Sequence, residues 1–272
     1  LSWYIILRSS GPVNSLSFAR LYKFTVSGFA LNYVTPVGLM GGEPYRIMEL
    51  TPYVGVERAT SSVILYVMMH IFSHFCFWLS SVLIYVFFYP VGWGMGIVLG
   101  LITLFCLLLV TLFIKGYRNG MAVACIRLGS HIPFLKKRAV RFAELHKEKL
   151  ETIDSQIALL HQQRKSTFYS ALGLEYTARI VGCLEVWLIL NVLTTDVSFV
   201  GCILIVAFSS LLANLLFFLP MQLGGREGGF ALAVAGLSLS GAYGVFAALI
   251  TRVREMVWIV IGLVLMKIGN RR

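Results

Sequence analysis

Residues 92–114 read GWGMGIVLGLITLFCLLLVTLFI and contain no charged side chain. A helix needs about 20 mostly apolar residues to cross the hydrocarbon layer of a bilayer, so this run is long enough to span a membrane. Further apolar runs lie at 61–88, 168–194, 197–219 and 253–268 with its flanks. The sequence therefore predicts an all-α polytopic membrane protein.

The composition of the whole chain agrees with this fold class. The 272 residues are 58% hydrophobic and 13% charged, with a mean hydropathy of +0.83, whereas soluble domains carry about 25% charged residues. A soluble enzyme is thereby excluded. The cysteines are far apart and form neither a zinc pattern nor a disulfide ladder; they are Cys76, Cys106, Cys125, Cys183 and Cys202.

Two weaker apolar segments lie at 15–35 and 229–250. The first carries Arg20 and Lys23 and ends next to Pro36, and the second is rich in Gly, Ala and Ser. Backbone that is not regularly helical is tolerated at membrane depth only when it is buried in protein. We therefore expect half-helices or re-entrant hairpins inside the bundle.

A basic segment separates two membrane halves. Residues 115–165 hold eleven Lys or Arg against four acidic residues, and apolar positions in 138–164 follow helical spacing. The positive-inside rule places this segment in the cytoplasm, against anionic headgroups. Nucleic acid is not the expected partner, because no aromatic patch accompanies the charge. We predict membrane halves at 1–114 and 167–272, joined by a connector with an amphipathic helix at 115–166.

An internal repeat is the most informative feature of the sequence. Residues 36–46 read PVGLMGGEPYR and residues 220–229 read PMQLGGREGG, and each follows an apolar helix. Many secondary transporters have broken helices at matching positions of two repeats, with the substrate held where the repeats meet. The pattern predicts a two-repeat helical bundle with broken or re-entrant helices at the two loops.

The residue types in these loops suit an anionic ligand. Paired glycines at 41–42 and 224–225 let backbone N–H groups turn toward a phosphate at a helix N-terminus. Arg46 and Arg226 can add charge-assisted hydrogen bonds. Glu43 and Glu227 would cap the helices, neutralise the arginines or contact a cationic headgroup. The alternative is that the glycines only permit tight turns.

The chain resembles the lysylphosphatidylglycerol synthase transmembrane region, a family of flippase-like membrane proteins. The matching positions are Thr35-Pro36, Gly41-Gly42-Glu43, Arg46, Ala59 to Val63, Leu219-Pro220, Gly224-Gly225, Glu227, Gly236, Ala247-Ala248 and Arg252. Where the family has a Glu-Arg pair after the Ser-Val run, this chain has Leu65-Tyr66, and Glu57-Arg58 comes earlier.

The resemblance implies a function in lipid handling. In bifunctional relatives the membrane region moves an aminoacylated phospholipid across the bilayer, and a separate soluble domain makes that lipid. These residues contain no such soluble domain, so synthesis of a lysyl lipid is not expected.

Charged residues within the apolar runs extend the candidate site. Glu175, Arg179 and Glu185 share one helical face of roughly 120°, which must point into the bundle, and Glu175 can pair with Arg179. Arg252, Arg254 and Glu255 form a second group, for which snorkelling to the interface is the simpler explanation. His70 and His74 are four residues apart, but aromatic packing is favoured over a metal site because no zinc ligand set is evident.

The preferred hypothesis is a transporter that moves a phospholipid or polyprenyl-phosphate headgroup between leaflets of the cell's inner membrane. The alternatives are a lipid-modifying enzyme or its subunit with Glu43 or Glu227 as base, and a non-transporting lipid-binding factor. We expect no catalytic residues, metal or cofactor, and the sequence leaves a homo-oligomer open. The predicted lipid- or phosphate-binding residues are Gly41, Gly42, Glu43, Arg46, Glu175, Arg179, Gly224, Gly225, Arg226, Glu227 and Arg252.

Overall fold

The structure is a computed structural model, and it describes residues 1–13, 16–35, 41–119, 155, 165–194, 197–216 and 222–268. Nine α-helices and no strand occur within these ranges. In chain order the helices are α1 (Ser2–Ser9), α2 (Phe18–Val34), α3 (Gly42–Val54), α4 (Val56–Phe88), α5 (Trp93–Asn119), α6 (Lys165–Leu193), α7 (Phe199–Leu215), α8 (Gly225–Ala235) and α9 (Gly241–Ile268). The predicted all-α class is confirmed.

Three of the described helices are long and apolar enough to cross a membrane: α4, α5 over Trp93–Leu112, and α6. They coincide with the predicted runs at 61–88, 92–114 and 168–194, and α7 is a shorter apolar helix within the run at 197–219. Leu101 and Leu104 on α5 are both more than half exposed, as side chains that face lipid would be. The chain is an integral membrane protein.

The region after residue 224 is divided differently from the prediction. The segment 229–250 is interrupted after Ala235, and α9 begins at Gly241 and continues to Ile268 without a break. A turn with Ser238 at a φ of 63° separates the two helices, and the amide of Leu237 bonds back to the carbonyl of Val234. Helices α8 and α9 pack against each other as a hairpin. Its re-entrant position in the membrane stays a prediction.

The described chain falls into two compact units that interleave along the sequence. The first comprises Leu1–Ser17, Arg46–Ser73 and Leu107–Glu175, and the second comprises Phe18–Tyr45, His74–Cys106 and Tyr176–Arg272. Helices α4, α5 and α6 therefore contribute residues to both units. The predicted division at 1–114, 115–166 and 167–272 describes the order along the chain, and it stays a prediction. The amphipathic helix predicted for 138–164 lies almost wholly outside the described residues.

In the first unit, Arg58 fastens the end of α1 to the start of α4. Its guanidinium donates hydrogen bonds to the carbonyl oxygens of Leu7 at 3.1 Å and Gly11 at 2.6 Å, and to Ser10 Oγ at 2.8 Å. These acceptors lie at the C-terminus of α1, where carbonyl groups have no partner within the helix. Arg58 is therefore a helix-capping residue.

The second unit is built on α2, α7, α8 and α9. Helix α2 packs against α9, where Ser27 Oγ donates to the carbonyl oxygen of Gly262 at 3.0 Å. Helix α8 contacts both α7 and α9. The hydrophobic core of this unit is a cluster of Val186, Leu190, Val197, Cys202, Ile205, Phe230, Val234, Ala247 and Ala248.

Candidate functional site

The first glycine loop is tied to the end of α2 by one side chain. The backbone N–H of Gly42 donates to Asn32 Oδ1 at 2.6 Å, and Asn32 Nδ2 donates to Glu43 Oε1 at 3.1 Å. Asn32 therefore binds the first two residues of α3, and one of the amides predicted to face a ligand is satisfied within the protein. Residues 36–40 of this loop, including Pro36, lie outside the described residues.

Gly41 and Gly42 are required by packing. A Cβ atom on Gly42 would overlap the carbonyl oxygen of Gly28 in α2, and one on Gly41 would overlap the side chain of Thr35. The start of α3 thus approaches the backbone of α2 more closely than any residue with a side chain would permit. The carbonyl group of Gly28 accounts for Gly42, and the side chain of Thr35 accounts for Gly41, without a ligand.

The second glycine loop is closed by its own glutamate. Gly224 has a φ of 80°, a conformation that favours glycine, and its N–H donates to Glu227 Oε2 at 2.9 Å. The other oxygen of Glu227 lies 2.5 Å from Arg252 Nη2. Two of the three expected roles of Glu227, capping the helix and neutralising an arginine, are thus observed. Pro220 lies outside the described residues.

Five further charged groups join Glu227 in what we call the charge network, defined as Glu185, Arg226, Glu227, Arg252, Arg254 and Glu255. Arg226 Nη1 lies 2.6 Å from Glu255 Oε1, and its Nη2 donates to Thr251 Oγ1 at 3.2 Å. Arg254 pairs with Glu185 and lies 3.8 Å from Glu255. Three positive and three negative charges balance, so the network is formally neutral.

The network is largely withdrawn from solvent. The side chains of Arg252 and Glu255 are 11% and 12% exposed, and only Arg254 is close to half exposed. Interactions between charges strengthen as the surroundings become less polar. Arg252, Arg254 and Glu255 lie in the middle of α9 and make ion pairs there, and snorkelling to the interface stays the alternative explanation.

Each glycine loop lies next to a helix that packs against α9, the first next to α2 and the second next to α8. Tyr33, next to Asn32, is subject to the charges of Glu255, Arg226, Arg252 and Arg254. Helices α2 and α8 both pack against α9, and Arg226 and Glu227 of α8 contact residues 251–255 there. Asn32, Tyr33 and Thr251 were not predicted as site residues from the sequence. Asn32 and Tyr33 could have been found, because they are polar residues at the end of an apolar helix, just before Thr35-Pro36.

Other predicted site residues lie in different surroundings. Arg46 belongs to the first unit, where it is 5% exposed and its guanidinium lies 5.6 Å from the centroid of the Tyr66 ring. Glu175 also belongs to the first unit and lies 2.9 Å from His70 Nδ1. Arg179 lies on α6 in the second unit, and Gly225 is the buried first residue of α8.

Comparison with known families gives a clear match. The family model described as "Lysylphosphatidylglycerol synthase TM region" matches residues 1–263. The chain belongs to this family. No curated protein and no solved structure matches it. Members of the lysylphosphatidylglycerol synthase transmembrane family are membrane proteins of lipid metabolism or transport.

The positions that carry the family resemblance have different physical roles. Ala247 and Ala248 are fully buried in the core cluster of the second unit, so their small size serves packing between helices. Glu227 and Arg252 are partners in the charge network. Some of the matching positions therefore serve helix packing in this chain, and others place charged groups inside the second unit.

The histidines form no metal site within the described residues. No group of three or more His, Cys, Asp or Glu side chains there is arranged to hold a metal ion. His74 contacts the ring of Trp78, with a centroid separation of 5.4 Å, which confirms aromatic packing for that residue. His70 instead bonds Glu175, a carboxylate that is distant in sequence and that sequence reasoning did not connect with it.

Proposed function

We propose that this protein moves a phospholipid or a polyprenyl-phosphate lipid between the leaflets of a membrane without changing it chemically. The observation that supports this most is the charge network beside the two glycine loops. Charged side chains are rare within membrane bundles and mark pathways for polar groups. A lipid headgroup would enter at the network while its tails stay in the surrounding lipid.

The arginines are the groups that would bind the phosphate. A guanidinium presents several N–H donors in a planar fork that matches a phosphate. Arg226 and Arg252 each already contact one carboxylate oxygen through one terminal nitrogen. The phosphate would replace Glu255 or Glu227 as the acceptor. The amides of Gly42 and Gly224 already donate hydrogen bonds to Asn32 and Glu227. The loops would therefore shape the site, and the arginines would provide its affinity for the phosphate.

An enzymatic role for Glu43 or Glu227 is the second candidate. A general base must reach the proton it removes and needs a pKa near the working pH. Glu227 is ion-paired to Arg252 and accepts a hydrogen bond from Gly224, so both of its carboxylate oxygens are engaged in contacts within the protein. The geometry thus favours transport over catalysis.

The cellular setting is part of the proposal. We place the protein in the inner membrane, with the basic connector on the cytoplasmic side and membrane lipid as the ligand. Nucleic acid has no part in this function, and self-association into a homo-oligomer is compatible with it.

A liposome assay tests the proposal. Purified protein is reconstituted with a fluorescent phospholipid or polyprenyl phosphate, and the fraction reached by a membrane-impermeant quencher is followed while the lipid's mass is measured. We expect that fraction to change and the mass to stay constant. Arg252→Gln should slow the movement at least several-fold, whereas Lys267→Gln, which removes an exposed charge from the same helix, should not.

Two results would contradict the proposal. Equal rates with and without protein would exclude transport of the lipids tested. A lipid product of altered mass that disappears in Glu43→Gln or Glu227→Gln would establish the enzyme instead.

A further inference from the structure

A histidine and a carboxylate are paired between two helices that are long enough to span a membrane. His70 Nδ1 lies 2.9 Å from Glu175 Oε2 in the first unit. At a rise of 1.5 Å per residue, His70 lies about 20 Å along α4 and Glu175 about 15 Å along α6. Both residues are thus far from the helix ends, where charged side chains usually reach the interface.

The neighbouring groups on the same two helices are few. Tyr66 precedes His70 by one turn of α4, and His74 follows it by one turn. Arg179 follows Glu175 by one turn of α6, on the same face.

The helices that contact α4 in the first unit bring further charges. Helix α1 carries Arg8, whose guanidinium lies 4.8 Å from the centroid of the Tyr4 ring. Helix α3 carries Glu49 and also Arg46, which lies over Tyr66. The start of α4 carries Glu57 and Arg58, and Arg58 is bound to the end of α1. Glu175 is the carboxylate bonded to the imidazole.

Protonation changes the charge of this pair by one. The proton acceptor of the pair is the His70 imidazole, whose Nδ1 lies 2.9 Å from Glu175 Oε2. Gain of one proton converts the imidazole to an imidazolium beside the carboxylate, and no other bond is made or broken. An ion pair of this kind is far less costly in apolar surroundings than an isolated charge.

We propose that His70, held by Glu175, binds a proton that crosses the membrane together with the lipid, so that a proton gradient drives lipid movement. This inference rests on the proposed function. Helices α4 and α6 continue from this pair into the second unit, where α6 contributes Glu185 to the charge network. Helix α6 therefore carries both the carboxylate that holds His70 and part of the proposed headgroup site.

The experiment compares lipid movement with and without a pH difference across the liposome membrane. If one proton moves with each lipid, a difference of one pH unit shifts the steady-state ratio of lipid between leaflets by up to about tenfold. We expect His70→Gln to lose this shift while still moving lipid at equal pH, and Glu175→Gln to lose the shift as well. His74→Gln, four residues further along α4, is the matched control and should keep it.

The two arms separate the two proposals. Lipid movement that is present at equal pH but unaffected by a gradient in the unaltered protein would overturn proton coupling and leave the transport function standing. A full gradient response in His70→Gln would also overturn it. An absence of lipid movement in both arms would overturn the transport function, and proton coupling with it.

Discussion

The substitution Gly42→Ala tests whether the first glycine loop serves packing or ligand binding. The added Cβ would overlap the carbonyl oxygen of Gly28. Backbone cannot rotate out of the way as a flexible side chain can, so the start of α3 must move away from α2. Overpacking of this kind destabilises by about 1–3 kcal/mol, and the backbone contact places the expected value near 3 kcal/mol.

Gly228→Ala is the matched control in the second loop. Gly228 has open space around the position of a Cβ atom, and it lies within helix α8. Alanine is more favourable than glycine in a helix by about 1 kcal/mol. This variant should therefore be as stable as the unaltered protein or slightly more stable.

The assay is thermal unfolding of the purified full chain in detergent, followed by circular dichroism. A loss near 3 kcal/mol should lower the Tm of Gly42→Ala by about 5–10 °C, while Gly228→Ala should not fall. An unchanged Tm in Gly42→Ala would refute the packing argument. If lipid movement were lost at unchanged Tm, the glycine would belong to the ligand site instead.

Three other substitutions have defined outcomes. Glu227→Gln removes the charge that Arg252 faces and should cost about 3–5 kcal/mol in urea unfolding. The double variant with Arg252→Gln should recover part of that loss, and strictly additive losses would argue against the pair. Arg58→Lys cannot reproduce the forked contacts at the end of α1, so hydrogen exchange of residues 2–9 should quicken by at least tenfold, whereas unchanged exchange would contradict the capping role. Asn32→Ala removes the acceptor of the Gly42 amide and should lower stability by about 1–2 kcal/mol, an expectation that an unaltered unfolding curve would exclude.

Apolar length was a reliable signal in this sequence. Helices α4, α5 and α6 were predicted from run length alone, because few side chains in them oppose transfer into lipid. The break between α8 and α9 was predicted at the wrong position. The turn at 236–240 that forms this break contains only Gly, Leu and Ser, which indicate a turn less strongly than proline does. The predicted run at 253–268 leaves out the first part of α9, whereas ion pairs with α8 and α6 let one helix run through Arg252, Arg254 and Glu255.

The candidate site could be predicted in part. The loops and their charged residues follow from the repeated Gly-Gly pattern, but the partners of those charges do not. Arg226 pairs with Glu255, and Glu175 bonds His70; both partners are far away in sequence, and only the packing of helices selects them. Asn32 was overlooked because its role depends on the close approach of α3 to α2.

The charge network also has a consequence for membrane insertion. Helix α9 carries Arg252, Arg254 and Glu255 in its middle, and insertion of a single charged residue at the centre of a helix costs about 2.5–3.5 kcal/mol. Such a helix would enter the bilayer poorly on its own. Its partners Glu185, Arg226 and Glu227 all precede it in the sequence, so they are synthesised first and are present when α9 leaves the ribosome. The order of the chain thus lets each charge of α9 meet its counterion during biogenesis, and moving α9 ahead of α6 in a circularly permuted chain would remove that advantage.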